Sequence, residues 1–295
     1  MPENQGICPD RPSVTALTYT VQVAVNTPSH SGVDDLLDYT STQPLAPGTL
    51  VRVPLGRREV LGVVWDAPAN APGASPHQLR AVAGVLEGLA PLDAPWRRLV
   101  AFAARYYQRS LGEVALAALP PQLRDLQPEQ LARRLRRPST QGDTFNATPL
   151  IALSAEQESA RAEIDAKKGP FLLFGSTGSG KTEVYLRCVQ DLLARSPTAQ
   201  ALVMVPEINL TPQLEERFVA RFGQGSVVSL HSGMTNPQRL KSWLAAHSGQ
   251  ARIVLGTRMA VFASLPGLGL IVVDEEHDPS YKQQEGARYS ARDLA

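Results

Sequence analysis

Between residues 171 and 195 the chain reads FLLFGSTGSGKTEVYLRCVQDLLAR. Four apolar residues lead into GSTGSGKT, and an amphipathic helical pattern follows, with Val184, Tyr185, Cys188, Val189, Leu192 and Leu193 on one side. The middle segment satisfies G-x-x-x-x-G-K-[ST] in full, in the required order of strand, loop and helix. Such a loop turns the backbone of Gly175, Ser176, Thr177, Gly178, Ser179 and Gly180 toward a phosphate-sized hollow. The helix N-terminus adds partial positive charge. Lys181 is expected to reach the β- and γ-phosphates of ATP, and the Thr182 hydroxyl to ligate Mg²⁺.

The same alternation continues outward. ALVMVP (201–206), SVVSL (226–230), RIVLG (252–256) and LIVVD (270–274) read as further buried strands beside FLLFG (171–175), with helices between them. Pro212 behind Thr211 and Pro237 behind Asn236 fit the first turns of two of those helices. The pattern predicts a parallel sheet covered on both faces. LIVVDEEH delivers Asp274 at a strand end, 92 residues after Thr182, where it suits a Mg²⁺-associated carboxylate. Glu275 can orient or deprotonate an attacking water, and His277 can link the site to a neighbouring element. Upstream, LSAEQ places Gln157 18 residues before Gly175. A glutamine there often reads adenine in nucleic-acid translocases. Ser154-x-x-Gln157 is equally a helix capping box, and both readings stand.

The first part of the chain reads as β structure. VQVAV puts Val21, Val23 and Val25 on one face, and LVRVPL alternates before a turn at Gly56. Residues 96–107 have helical spacing, with Leu99, Val100, Ala103, Tyr106 and Tyr107 on one stripe. Residues 67–76 read as a loop. LARRLRRPSTQGDTFNATP, with Arg133, Arg134, Arg136 and Arg137, reads as a helix end and linker, or else as a nucleic-acid contact. The fold class expected is multidomain α/β: a β-rich module at 1–110, a connector at 111–150 and one P-loop lobe at 151–295. A formal net charge of +1 shows no global bias toward nucleic acid, so any such surface is local. Cys8 and Cys188 are far apart, which fits neither a disulfide framework nor a zinc site. No export signal opens the sequence, and no apolar run reaches the ~18 residues of a membrane span. The expected location is the cytoplasm, with no membrane partner.

With these motifs placed, the chain resembles the bacterial replication-restart helicases of the primosomal protein N′ (PriA) family, within superfamily 2. The resemblance rests on GSTGSGKTEVYL, VMVPEINLTPQ, LHSGMT, GTRMAVFASL and DEEHDPSYKQQEG-RY-ARDLA, in that order, and on LDYTSTQPLAPGTLVRVPLGRREVLGVV in the first module. It implies a β-rich N-terminal DNA-binding domain that recognises a nascent-strand 3′ end, followed by one RecA-like P-loop lobe. The terminal nucleotide would meet Leu37, Asp38, Gly56 and Arg80. Thr257 and Arg258 would touch the DNA backbone. Tyr281, Lys282, Arg288 and Tyr289 would form a loop coupling DNA occupancy to hydrolysis. Leu37 and Ala287 stand where the family commonly has aromatics, and Ser290 where it often has histidine. The resemblance also implies branched replication forks, single-stranded DNA, other primosome proteins and single-stranded DNA-binding protein as partners. Zinc is expected of the complete family protein, in a segment this chain lacks along with a second lobe, and a winged-helix domain has little room in 111–150. These 295 residues are accordingly expected to bind DNA and nucleotide, to hydrolyse ATP very slowly and not to unwind. The competing expectation is a non-catalytic fork-binding module that needs only residues 1–110. A small-molecule P-loop kinase is disfavoured, for want of a substrate-phosphate site and a lid.

Overall fold

The computed structural model describes residues 18–27, 35–66, 79–126, 128–135, 152–176 and 178–295. Thr177, Cys8, Arg136, Arg137 and the loop expected at 67–76 lie outside these residues.

The first module is an antiparallel sheet of β1 (Tyr19–Val25), β2 (Leu36–Ser41), β3 (Leu50–Leu55), β4 (Arg58–Val64) and β5 (Gly84–Val85), in the order β2-β1-β4-β3-β5. Alternation dictates its inner face: Val21, Val23, Val25, Tyr39, Val51, Val53 and Val64 form one buried cluster. The stretch before β5 bends the sheet toward closure. Thr40 exchanges backbone hydrogen bonds with Arg80 and Val82, while Ala83 N–H donates to Arg52 O. The opposite face is covered by α1 (Ala94–Tyr106) and α2 (Leu111–Ala117), with α3 (Pro121–Asp125) and α4 (Pro128–Leu135) following. Arg52 is buried, and its guanidinium donates to Leu126 O at 2.6 Å, tying the sheet to the end of α3. Arg133 and Arg134 lie exposed in the last turn of α4, as a helix end would have them.

The second module holds α5 (Ala155–Ala166), α6 (Lys181–Arg195), β6 (Gln200–Met204), α7 (Pro212–Phe222), β7 (Val227–Leu230), α8 (Asn236–His247), β8 (Ile253–Gly256), β9 (Leu268–Val273) and α9 (Ala291–Leu294). Its sheet is parallel, in the order β7-β8-β6-β9, with β6 and β8 wholly buried. Thr211 caps α7 as its spacing predicts. At α8 the cap is Thr235, in a capping box with Gln238, one residue before the Asn236 expected.

The run FLLFG departs from expectation. Residues 171–175 form no regular element, and Phe174 is 92% exposed. Apolar content makes a segment favour burial between neighbours, but burial needs a strand or helix alongside. Among the described residues no strand pairs with it.

The two modules share a core. Trp96 on α1 buries against the second module and donates its indole N–H to Phe262 O at 2.9 Å. His247 at the end of α8 meets Ala90 O at 2.9 Å and Ser264 Oγ at 2.8 Å.

Candidate nucleotide and DNA site

The loop before α6 keeps its backbone open because Gly178 and Gly180 have φ near 83° and 82°, a region in which other residues are strained. At Gly180 a Cβ would also lie 2.3 Å from the Gln157 side-chain nitrogen. Lys181 leads the helix and donates from Nζ to Gly175 O at 2.8 Å and Ser176 O at 3.2 Å. Its ammonium is thus held inside the curl of the loop, where phosphate oxygens can replace the carbonyls. The two readings of Gln157 prove compatible as geometry. Ser154 and Gln157 form the reciprocal capping box of α5, and the free end of the same amide donates to Ser179 O at 3.1 Å. One side chain therefore starts a helix and rests on the phosphate loop.

Asp274 follows β9, and its backbone N–H donates to Met204 O of the neighbouring strand. Tyr185, on α6, donates its hydroxyl to Asp274 Oδ2 at 3.2 Å, so the helix that begins with Lys181 also positions the acid. Burial raises the Asp274 carboxyl above the ordinary aspartate range. The Tyr185 hydrogen bond opposes this, and the neighbouring Glu275 charge adds to it. A carboxylate destabilised in this way gains from a divalent cation. The carboxylate and the Thr182 hydroxyl are the hard oxygen donors that suit Mg²⁺, which usually takes one or two carboxylates and keeps several waters. The residues fit Mg²⁺ and nucleotide phosphates. Glu275 sits at φ 46°, a left-handed backbone costing about 1–3 kcal/mol in a residue of its type, and its carboxylate lies 3.8 Å from the exposed His277 ring.

The expected DNA residues fall into two groups. In the first module Arg80 donates to Gly56 O at 2.7 Å, and Leu37 and Asp38 lie on β2, whose Thr40 bridges to Ala81. Arg80 thereby joins the β3–β4 turn to β2, and Leu37 packs partly against the inner cluster. In the second module Thr257 is buried. Arg258 donates to Gln283 Oε1 at 2.7 Å, to Ser280 O at 3.2 Å and to Glu207 Oε2 at 3.3 Å. Tyr281 is buried, and its hydroxyl donates to Asp274 O at 2.6 Å and Met204 O at 3.0 Å. In this arrangement it braces the strand ends instead of presenting its ring to a base. Tyr289 packs edge-on to Phe262, while Lys282 and Arg288 are exposed. A cleft of about 500 Å³ opens between the modules, lined by Tyr107, Glu113, Arg239, Thr257, Arg258 and Tyr289 among others. Sequence reasoning missed Tyr185 as the partner of Asp274, and Glu207 as the partner of Arg258. Periodicity marks Tyr185 as buried but says nothing of where its hydroxyl points.

Residues 22–120 match the PriA 3′DNA-binding domain, and residues 154–295 match the DEAD/DEAH box helicase family. The chain is 34% identical to the replication restart protein PriA of Haemophilus influenzae, over 84% of this chain and 43% of that protein. It is 33% identical to PriA of Rickettsia felis over 88% of this chain and 38% of that protein, and 42% identical to PriA of Bacillus subtilis over 52% and 20%. The chain belongs to the PriA family. It spans about two-fifths of the length of the PriA relatives that match most of it. Membership of a DEAD/DEAH helicase family carries use of ATP and Mg²⁺ in general, in keeping with the donor set around Lys181 and Asp274. Among the described residues of this PriA-family chain, no helix is long and apolar enough to cross a membrane.

Proposed function

We propose that the chain is the DNA-recognising and nucleotide-binding part of an ATP-dependent replication-restart helicase with 3′-to-5′ polarity. Its division would be 1–110 for 3′-end recognition, 111–150 for connection and 151–295 for the ATPase lobe. Asp38 would accept from the terminal sugar hydroxyl, Arg80 would hold a phosphate, and Gly56 would allow close approach at Leu37. In the ATPase lobe Lys181 and the loop 175–182 would hold the phosphates, Thr182 and Asp274 the Mg²⁺, and Glu275 the attacking water, with Gln157 at the adenine. The bound cation would neutralise charge developing on the phosphates. Partners would be stalled forks, single-stranded DNA, other primosome proteins and single-stranded DNA-binding protein in the cytoplasm.

The observation that carries this reading is the shared core between the modules. Trp96 reaches Phe262 O, and Tyr107 accepts from the Ser290 N–H, so the module matching a DNA-binding domain is packed on the loop that follows the catalytic acids. Slow intrinsic turnover belongs to the same proposal. Related NTPases draw about 10³–10⁵ in rate from an arginine aimed at the γ-phosphate, and in this proposal a further lobe would have to supply it.

The test compares fork DNA ending in a 3′-hydroxyl with the same fork ending in a 3′-phosphate, by fluorescence anisotropy on the full chain. Tighter binding of the hydroxyl is expected, and equal affinity would sink the 3′-end assignment. In parallel, Lys181→Ala should abolish Mg²⁺-dependent ATP binding while leaving fork affinity unchanged. A wild-type chain that binds forks but no nucleotide would leave a non-catalytic fork-binding module as the better reading.

A further inference from the structure

The helical spacing of α1 predicts Tyr106 on the inward stripe, yet it is 66% exposed, and so is 53% of Phe102 one turn earlier. The inward positions are taken by Trp96, Val100, Ala103 and Ala104. At 100° per residue, Arg98, Phe102, Arg105 and Tyr106 fall within about a quarter to a third of the helix circumference, while Arg109 follows the left-handed Gln108 beyond the helix end. Two large rings left in water are costly, and these two stack on each other, with centroids 5.5 Å apart and planes 21° from parallel. Arg109 is engaged with Glu113 at 3.8 Å. The side chains of Arg98 and Arg105 are exposed and form no hydrogen bond or ion pair among the described residues, and α1 carries no acidic residue.

The row of rings continues. Tyr106 meets Tyr107 edge-on at 4.9 Å, Lys282 Nζ lies 5.5 Å from the Tyr107 ring centre, and the Tyr107 hydroxyl accepts from Ser290 N–H at 3.0 Å. Tyr107 also lines the 500 Å³ cleft, whose charged wall is mixed: Arg239 and Arg258 with Glu113, Glu207 and Glu285. An apolar protein partner would suit bare rings. The chemistry of this face is stacked rings flanked by the unpaired guanidiniums of Arg98 and Arg105, and it complements a polyanion with flat apolar groups.

We propose that the Phe102–Tyr106 stack, flanked by Arg98 and Arg105, is a binding site for unpaired bases of a single-stranded nucleic acid. Only unpaired bases qualify, because duplex bases already stack on their neighbours. The site uses none of Leu37, Asp38, Gly56 and Arg80. It rests on the nucleic-acid reading above, but not on 3′-end recognition.

The experiment measures binding of labelled oligothymidine, and of a blunt duplex of equal length, by fluorescence anisotropy with the full chain. Phe102→Ala/Tyr106→Ala should weaken oligothymidine binding about tenfold or more, with duplex affinity changing less than about twofold. Phe102→Leu/Tyr106→Leu should behave like the alanine pair, since it keeps bulk but not ring faces. Arg98→Ala/Arg105→Ala should lower the slope of log affinity against log salt by about 1.4, at ~0.7 per phosphate contact on a single strand. Both ring positions are exposed, so thermal unfolding should be unchanged. Unaltered oligothymidine affinity in both ring variants overturns the proposal. So does full affinity in the leucine pair, or a loss of self-association in place of a loss of DNA binding. A wild-type chain that binds neither oligothymidine nor forks defeats the broader reading as well. Fork binding with indifferent ring variants defeats this site alone.

Discussion

Glu183 stands two residues after Lys181 and offers a direct test of how the phosphate loop is held. Its carboxylate accepts from Arg221 at 2.8 and 3.0 Å and from Arg187 at 3.1 Å, and the side chains of Glu183 and Arg221 are only 9% and 12% exposed. Arg221 also donates to Gln190, so α6 and α7 are clamped together beneath the loop. Burial pushes the Glu183 carboxyl upward, but the two guanidiniums outweigh it, and the group titrates below the ordinary glutamate range. Glu183→Ala removes three charge-assisted hydrogen bonds and takes its carboxylate from the buried Arg221 guanidinium. At near-complete burial this should cost about 3 kcal/mol or more, against about 0–1 kcal/mol for an exposed pair. Urea unfolding followed by circular dichroism checks the value. In a cycle with Arg221→Ala, the double variant should lose less than the sum by about 1–3 kcal/mol. The pH dependence has a definite sign. A carboxyl with a depressed folded-state pKa contributes stability above its unfolded value, and that contribution is lost as pH falls through the folded value. Wild type should therefore lose stability below the ordinary glutamate range more steeply than Glu183→Gln. A cost below about 1 kcal/mol for Glu183→Ala, or strict additivity with Arg221→Ala, would refute the clamp.

Two further outcomes are expected. Burial lowers the His247 pKa, against opposing effects of the Ala90 carbonyl and Asp93, so stability should hold above the ordinary imidazole range of about 6.5 and fall as pH drops below it. Urea midpoints at about pH 7.5 and 5 should show that slope in wild type, and not in His247→Gln. At the cleft, Glu207→Gln should release Arg258 and raise single-stranded DNA affinity by at most about fivefold, the worth of a partly exposed ion pair. Arg258→Ala should lower the salt slope by about one. An unchanged slope in Arg258→Ala would remove it from the DNA path.

Most of the second module was legible because its strands are continuous apolar runs and its loop has a fixed glycine pattern. FLLFG is as apolar as β6 and β8, yet among the described residues it joins no ladder, since apolar content specifies a need for neighbours without supplying them. Tyr106 and Tyr281 show a different limit. Periodicity turned Tyr106 inward and family likeness turned Tyr281 toward DNA, while the structure exposes the first and buries the second. A tyrosine has an apolar ring and a polar tip, so either setting satisfies it, and tertiary partners decide. For Tyr281 those partners are the carbonyls of Met204 and Asp274, 77 and 7 residues away along the chain.

That burial changes what the loop after the acids can do. If Tyr281 faced DNA, the loop would sense a base by stacking, and its attachment to Asp274 would be the chain alone. With its hydroxyl fixed to the ends of β6 and β9, Tyr281 is the anchored end of the loop, and the segment from Lys282 to Ser290 is the end that meets α1. Lys282 and Ser290 both rest on Tyr107, and Arg258 reaches the same loop at Ser280 and Gln283. A strand occupying the cleft would compete for Arg258 and press on Tyr107, displacing the free end while Tyr281 holds the other against Asp274. The rings of Phe102 and Tyr106 on α1 are thus open to stacking, while that of Tyr281 is taken up in the core.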